Sequence, residues 1–229
     1  MQNSSSAHND YRIRSFIRRQ GRATAGQKLA LETLWDKYCL DPSQHYDFST
    51  VFGRTAPLIV EIGFGNGESL AKMAQANPQW DYLGIEVHRP GVGHLMLLLE
   101  QNALTNVRIF HHDAIEILEQ IQDHSLAGVQ LFFPDPWQKR CHHKRRLVKP
   151  SFVALLSQKL MLGGYFHAAT DWEHYAKEML SILSTSEQLV NSSPNHGYCP
   201  RPDYRPLTKF EQRGTRLGHG VWDLIFKTT

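Results

Sequence analysis

A carboxylate locked between two prolines at the end of an apolar run is the group in this chain best placed to do chemistry. Leu131-Phe132-Phe133 leads into Pro134-Asp135-Pro136-Trp137, and Gln138-Lys139-Arg140-Cys141-His142-His143-Lys144-Arg145-Arg146 follows at once. The apolar run reads as a buried strand, and ligand-binding groups in open α/β sheets lie at the carboxyl ends of strands. A stiff acid beside a large flat ring, flanked by cations, suits a pocket for one base of a polyanion. The pattern points to an enzyme that acts on RNA or DNA.

A second constellation lies upstream. Glu61-Ile62-Gly63-Phe64-Gly65-Asn66-Gly67 reads as a strand end running into a glycine-rich turn, with a helix to follow. Such a turn can cradle a dinucleotide pyrophosphate, but that fingerprint needs Gly or Ala three residues after its second glycine. Here the position is Glu68, an anion where the pyrophosphate would sit. The spacing Gly-x-Gly-x-Gly behind Glu61 instead suits a cofactor that carries a cation and no phosphate. S-adenosylmethionine fits, since carboxylates attract its sulfonium and ammonium while glycines let the backbone approach closely. Taken alone, the glycines read equally well as a structural turn.

Two further strand ends bear on that choice. Glu86, some way past the glycines, is placed to accept both ribose hydroxyl protons. Asp113 is placed to receive the exocyclic amine of adenine, although an acid before Ala114 is also a plain helix N-cap. With Asp135 included, four successive strand ends carry Glu61, Glu86, Asp113 and Asp135 along one rim of a sheet.

The formal charge of +3 hides a segregation. Residues 11–28 hold Arg12, Arg14, Arg18, Arg19, Arg22 and Lys28 without an acid, and residues 138–149 hold Lys139, Arg140, Lys144, Arg145, Arg146 and Lys149 likewise. With those twelve set aside, thirteen of the 25 Lys and Arg face all 22 acids, so the body is acidic and its positive charge sits in two segments. Clustered cations of this kind bind phosphates by releasing condensed counterions. Cys39, Cys141 and Cys199 are odd in number and far apart, which is no disulfide framework and implies a reducing cytoplasm. Cys141-His142-His143 lacks a second ligand pair at metal-site spacing, so no metal is expected. Residues 1–10 lack a signal-peptide core, and the longest apolar run, 95–99, is far too short to span a bilayer.

The elements that must position these groups follow from pattern. Strands are expected at 58–62, 81–87, 107–111, 128–133 and 164–169, with two more towards the end, the last at 221–226. Helices are expected at 29–38, 68–76, 94–102, 114–122, 150–162 and 172–183. Alternation of this length implies a mostly parallel seven-stranded sheet with helices on both faces. Residues 1–28 read as a disordered, basic N-terminal arm, and 29–229 as a single domain.

The motifs EIGFGNGES (61–69), GIEVHRPGVG (84–93), QLFFPDPWQKRCHHKRR (130–146), ATDWE (169–173), PRPDYRPLTKFEQRG (200–214) and LGHGVWDL (217–224) together carry a resemblance. The chain resembles the bacterial tRNA (guanine-N7-)-methyltransferases, within the class I methyltransferase (Rossmann-like) fold, from Leu58 to its end. The resemblance implies methyl transfer from S-adenosylmethionine to N7 of the guanosine in the tRNA variable loop. It implies cofactor-site positions at Glu61, Gly63, Gly65, Gly67, Glu86, Asp113 and Asp135, with Asp135 the catalytic residue. It further implies substrate-binding positions at Lys139, Asp171, Thr208, Lys209, Phe210 and Glu211, and an RNA-contacting segment at Cys141, His142, His143, Lys144, Arg145 and Arg146. tRNA is the expected partner, with no membrane and no metal, for a monomer acting in the cytoplasm.

Guanine N7 already offers a lone pair, so the transfer needs no general base. Asp135 is therefore expected to orient the base by accepting from its N1–H and N2–H₂, with Asp171 and Glu211 as rivals for that contact. Trp137 either stacks on the base or walls the cofactor pocket. Removing residues 1–22 is expected to weaken tRNA binding and leave cofactor affinity nearly unchanged. Two other classes compete: an amino-group methyltransferase, disfavoured because Trp137 replaces the second proline and tyrosine of an Asp-Pro-Pro-Tyr motif, and a non-catalytic RNA-binding protein, disfavoured by the intact acids. A nicotinamide dehydrogenase is disfavoured by Glu68 and by the basic segments.

Overall fold

The computed structural model describes residues 13–16, 21–207, 211 and 220–229. Seven strands form one sheet: β1 (Leu58–Ile62), β2 (Asp81–Ile85), β3 (Val107–Phe110), β4 (Leu126–Phe132), β5 (Leu160–Thr170), β6 (Leu189–Asn191) and β7 (Trp222–Thr228). Their spatial order is β3-β2-β1-β4-β5-β7-β6. β1 to β5 pair in parallel, whereas β7 runs antiparallel to both β5 and β6. The strand order reverses between β1 and β4. A crevice outside the carboxyl ends of the strands opens at such a switch point, and Glu61 and Asp135 lie on either side of it.

Alternate residues of these strands feed opposite faces. Val60, Ile62, Val129, Leu131 and Phe166 join Phe152, Leu156, Tyr175 and Met179 in one apolar cluster, which α6 (Ala114–Gln120), α7 (Pro150–Lys159) and α8 (Glu173–Leu183) cover. Ile59 and Tyr82 on the other face pack with Leu70, Met73, Leu95 and Leu99, under α4 (Glu68–Ala76) and α5 (Arg89–Gln101). Strands buried on both faces read as continuous apolar runs, which is why β1 shows no polar alternation.

Three expectations shift. The first helix does not run unbroken over 29–38: α1 (Ala25–Thr33) breaks at Leu34 before the short α2 (Trp35–Tyr38). It also starts inside the stretch read as arm, because Thr24 and Gln27 form a reciprocal capping box. α7 stops at Lys159 and β5 begins at Leu160, earlier than the pattern suggests. Leu160 leaves the helix in extended backbone, buried Lys159 donates to Ile121 O and Asp123 Oδ1, and the strand then bulges so that Leu126 faces Leu160 while Gly128 faces Tyr165. The short helix α3 (Phe48–Phe52) and a 3-10 turn at Arg140–Arg145 lack an apolar period and were not foreseen.

Candidate active site

The turn after β1 holds Gly63, Gly65 and Gly67 at φ +71, +59 and +75, a left-handed region that side chains rarely adopt. A Cβ on Gly63 or Gly65 would point into open space, so these two residues form a cradle bare of side chains. Gly67 has a packing reason instead: a Cβ there would meet Leu95 at 2.7 Å. Beside the cradle, Glu86 is held rigidly by backbone donors. Its Oε2 accepts from Gly65 N at 2.8 Å, and its Oε1 from Val87 N and His88 N at 2.7 and 2.9 Å.

Glu61 sits beneath the turn, 2 % exposed, and its Oε2 has no hydrogen-bond partner among the described residues. Burial, reinforced by the nearby Glu86 carboxylate, pushes its carboxyl up to about 8. An acid in that state lacks a cation. A cavity of about 270 Å³ opens next to it, lined among others by Gly63, Glu86, His88, Phe132, Pro134 and Asp135. The unpaired buried acid and the bare glycine cradle both fit a ligand that brings positive charge.

Asp135 itself is exposed on the rim, with Oδ1 accepting from Trp137 N at 3.0 Å. Phe133 and Trp137, two residues to either side, both adopt left-handed backbone at φ +51 and +47. Strain of this kind in non-glycine residues gathers where a loop must aim a functional group. Trp137 is no open stacking platform: it is 7 % exposed, its Nε1 donates to Ser15 O at 3.1 Å, and the Arg145 guanidinium lies 5.1 Å from its ring centroid.

The remaining expected residues divide. Lys139, Cys141 and Lys144 are exposed, while His142, His143 and Arg145 are half-buried around the 3-10 turn. Arg146 is a correction. It is 1 % exposed, donates through Nε to Pro136 O at 2.9 Å, pairs with Glu178 and stacks over Tyr175, so it braces the Asp135 loop from inside instead of presenting a charge to RNA. Asp113 caps α6 through Ile115 N at 3.0 Å and lines an adjoining cavity, whereas its neighbours His112 and Ala114 line the first. Asp171 is half-buried at the carboxyl end of β5, one strand over from Asp135. Glu211 is buried, with both oxygens accepting from Arg205. Thr208, Lys209 and Phe210 lie outside the described residues.

Two groups escaped the sequence reading. Ser15 and Phe16 fall within the stretch expected to be a disordered, basic arm, yet they help line the same cavity as Gly63 and Glu86. His167, Arg205 and Asp223 form a buried polar cluster, for which the closely spaced polar residues of Asp203-Tyr204-Arg205 were the available hint.

The described residues contain no helix long and apolar enough to cross a membrane, and no group of three or more His, Cys, Asp or Glu arranged to hold a metal ion. Among solved structures, a 16S rRNA methyltransferase, KamB, matches with a TM-score of 0.58 at 12% identity, covering 81% of this chain and 95% of that one. A 16S rRNA (adenine(1408)-N(1))-methyltransferase from Catenulisporales acidiphilia, solved with its cosubstrate SAM, matches with a TM-score of 0.55 at 13% identity, covering 83% and 92%. Sheet order, glycine cradle and strand-end acids together define a class I S-adenosylmethionine-dependent methyltransferase. The family model described as "Putative methyltransferase" matches residues 55–224. Proteins named tRNA (guanine-N(7)-)-methyltransferase from Methylococcus capsulatus and Hydrogenovibrio crunogenus are 58% and 56% identical over 217 and 218 residues, 94% of this chain in each case and 94% and 91% of theirs. The chain belongs to the tRNA (guanine-N(7)-)-methyltransferase family.

Proposed function

We propose that this chain methylates N7 of the variable-loop guanosine of tRNA in the cytoplasm, with Asp135 orienting the base. S-adenosylmethionine supplies a methyl group activated by its sulfonium. The bare backbone at Gly63 and Gly65 would allow its close approach, Glu86 would accept from its ribose, and buried Glu61 would provide the anion that a cationic ligand requires. The observation that carries the reading is the aim of Asp135, an exposed carboxylate fixed by Trp137 N between two strained residues on the rim of that cavity.

A carboxylate accepting from guanine N1–H and N2–H₂ selects guanine over adenine and turns N7 towards the donor. The base gains positive charge as N7 is alkylated. An anion already hydrogen-bonded to it therefore binds the transition state more tightly than the ground state. Asp171, which follows β5 one strand over, supports the same base. Lys139, Lys144 and Arg145 hold phosphates and set register without reading sequence.

Kinetics with labelled S-adenosylmethionine and tRNA, followed by strand cleavage specific for N7-methylguanosine, test this. Asp135→Ala should lower kcat/KM by about 100-fold, the scale of lost orientation at a reacting centre, with S-adenosylhomocysteine binding intact. If Asp135→Asn kept the normal rate and guanine preference, the orienting role would be wrong. The arm needs finer dissection than a single truncation at residue 22. Because Ser15 and Phe16 line the cofactor cavity, deleting residues 1–22 should weaken cofactor binding as well as tRNA binding, whereas deleting 1–12 should spare the cofactor. Equal cofactor affinity in both truncations would contradict this.

A further inference from the structure

Arg205 is 1 % exposed and spends four hydrogen bonds on two carboxylates. Its Nη1 and Nη2 donate to Glu211 Oε2 and Oε1 at 2.8 and 2.7 Å, a fork meeting a fork. Its Nε and Nη2 donate to Asp223 Oδ1 and Oδ2 at 2.7 and 2.9 Å. The same guanidinium lies 5.9 and 5.7 Å from the ring centroids of Phe132 and Phe133, which lead into Pro134 and Asp135. Behind it, Asp223 Oδ1 also accepts from His167 Nε2 at 2.7 Å, and His167 Nδ1 accepts from Tyr204 at 2.9 Å. Asp223 is fixed on β7 opposite Ala169 of β5. One side chain thus joins the end of β4, the start of β7 and the carboxylate of Glu211.

A buried ion cluster is weak evidence of a purely stabilising role. Apolar residues of similar volume often stabilise a fold as well as a buried ion cluster or better, and apolar packing covers the opposite face of the same strands. A bidentate arginine adds what apolar packing lacks, a fixed direction for a carboxylate. We infer that Arg205 is a positioning residue for the guanosine pocket, acting through Glu211, whose carboxylate it clamps against β7 and beside the strand that leads to Asp135. This rests on the reading of 208–211 as a substrate-binding segment.

The test pairs tRNA methylation kinetics with calorimetry of S-adenosylhomocysteine on full-length protein. Arg205→Lys keeps the charge but loses the fork. Phosphate contacts dominate tRNA affinity, so misplacement of the Glu211 carboxylate should appear in kcat, lowered by about tenfold or more. KM for tRNA and the S-adenosylhomocysteine dissociation constant should each stay within about threefold, the tolerance of an uncoupled site. The double variant Arg205→Lys/Glu211→Gln should be no slower than Glu211→Gln alone. A parallel fall of kcat and S-adenosylhomocysteine affinity would reduce Arg205 to a structural role, and additive losses in the double variant would uncouple it from Glu211; either overturns the inference. If Arg205→Lys binds no S-adenosylhomocysteine at all, Glu211→Gln decides: a kcat loss with ligand binding kept supports the clamp, and an unchanged kcat overturns it. Wild-type protein that forms no N7-methylguanosine would instead sink the functional reading, whatever the variants do.

Discussion

Across β4, β5 and β7 the two faces of one sheet are built on different chemistry. On one face Val129, Leu131, Phe166, Ala168, Leu224 and Phe226 meet the apolar sides of α7 and α8. On the other, one residue along each strand, stand Gln130, Tyr165, His167 and Asp223, joined by Tyr204, Arg205 and Glu211. The apolar face is indifferent to direction, because burial stabilises in proportion to area. The polar face is all direction. Its unsatisfied oxygens are informative: Gln130 Oε1 and Glu61 Oε2, on residues paired across β4 and β1, both lack partners among the described residues, whereas Arg205 is tied to both of its carboxylates. The network is closed around Arg205 and open between β1 and β4.

The largest effect should come from the apolar face and leave the site alone. Phe166 is fully buried, edge-on to Phe152. Phe166→Ala should lower the unfolding free energy by about 3–5 kcal/mol, the usual range for a deleted core aromatic. Denaturant titration measures that loss. S-adenosylhomocysteine affinity of the folded fraction should be unchanged, and an equal loss of affinity would mean that the faces are not independent.

Next in size is the pH dependence of Glu61. Its folded-state value, about 8, is raised above the ordinary 4.5. Its contribution to the stability of the unliganded protein is therefore full below about pH 4.5 and is lost as pH climbs to about 8. Cofactor binding runs the other way, since a cation beside Glu61 needs the carboxylate. Binding then expels a proton, and affinity for S-adenosylmethionine should rise with a slope approaching tenfold per pH unit between about pH 5.5 and 7.5. Glu61→Gln should be flat over that window and weaker at its upper end. A flat wild-type profile in calorimetry would show that no proton leaves on binding.

This division of faces also decides what the sequence makes legible. The parallel strands declare themselves as apolar runs ending in acids, so the rim at Glu61, Glu86 and Asp135 can be read before any coordinates exist. What cannot be read is which charged residue turns inward. Arg146 sits among five other cations in its segment and looks like one more phosphate contact, yet Glu178 and His174 on α8 capture it from roughly thirty positions downstream. Trp137 looks like a stacking platform until Ser15 and Arg145 close around it. Arg205 offers only the hint of Asp203 and Tyr204 beside it, because its carboxylate partners, Glu211 six residues on and Asp223 eighteen on, are not its immediate neighbours. Buried ionic partners are chosen by the fold, and periodicity reports only the pattern along the chain.

The smallest effect tests the far end of the polar network. His167 is fully buried, and burial lowers its pKa despite the opposing pull of Asp223, so the ring is neutral at pH 7. A neutral ring that donates from Nε2 to Asp223 must accept at Nδ1, which is where the Tyr204 hydroxyl donates. Tyr204→Phe removes that proton and nothing else of size, leaving a buried nitrogen unpaired, and should cost about 1–2 kcal/mol of stability. Its kinetic consequence should be smaller than that of Arg205→Lys, because the displacement must pass through His167 and Asp223 before it reaches Arg205. A Tyr204→Phe variant that lost as much kcat as Arg205→Lys would place the tyrosine itself in the pocket. One with full stability would show that the hydroxyl does not hold the imidazole, leaving Asp223 to orient His167 alone.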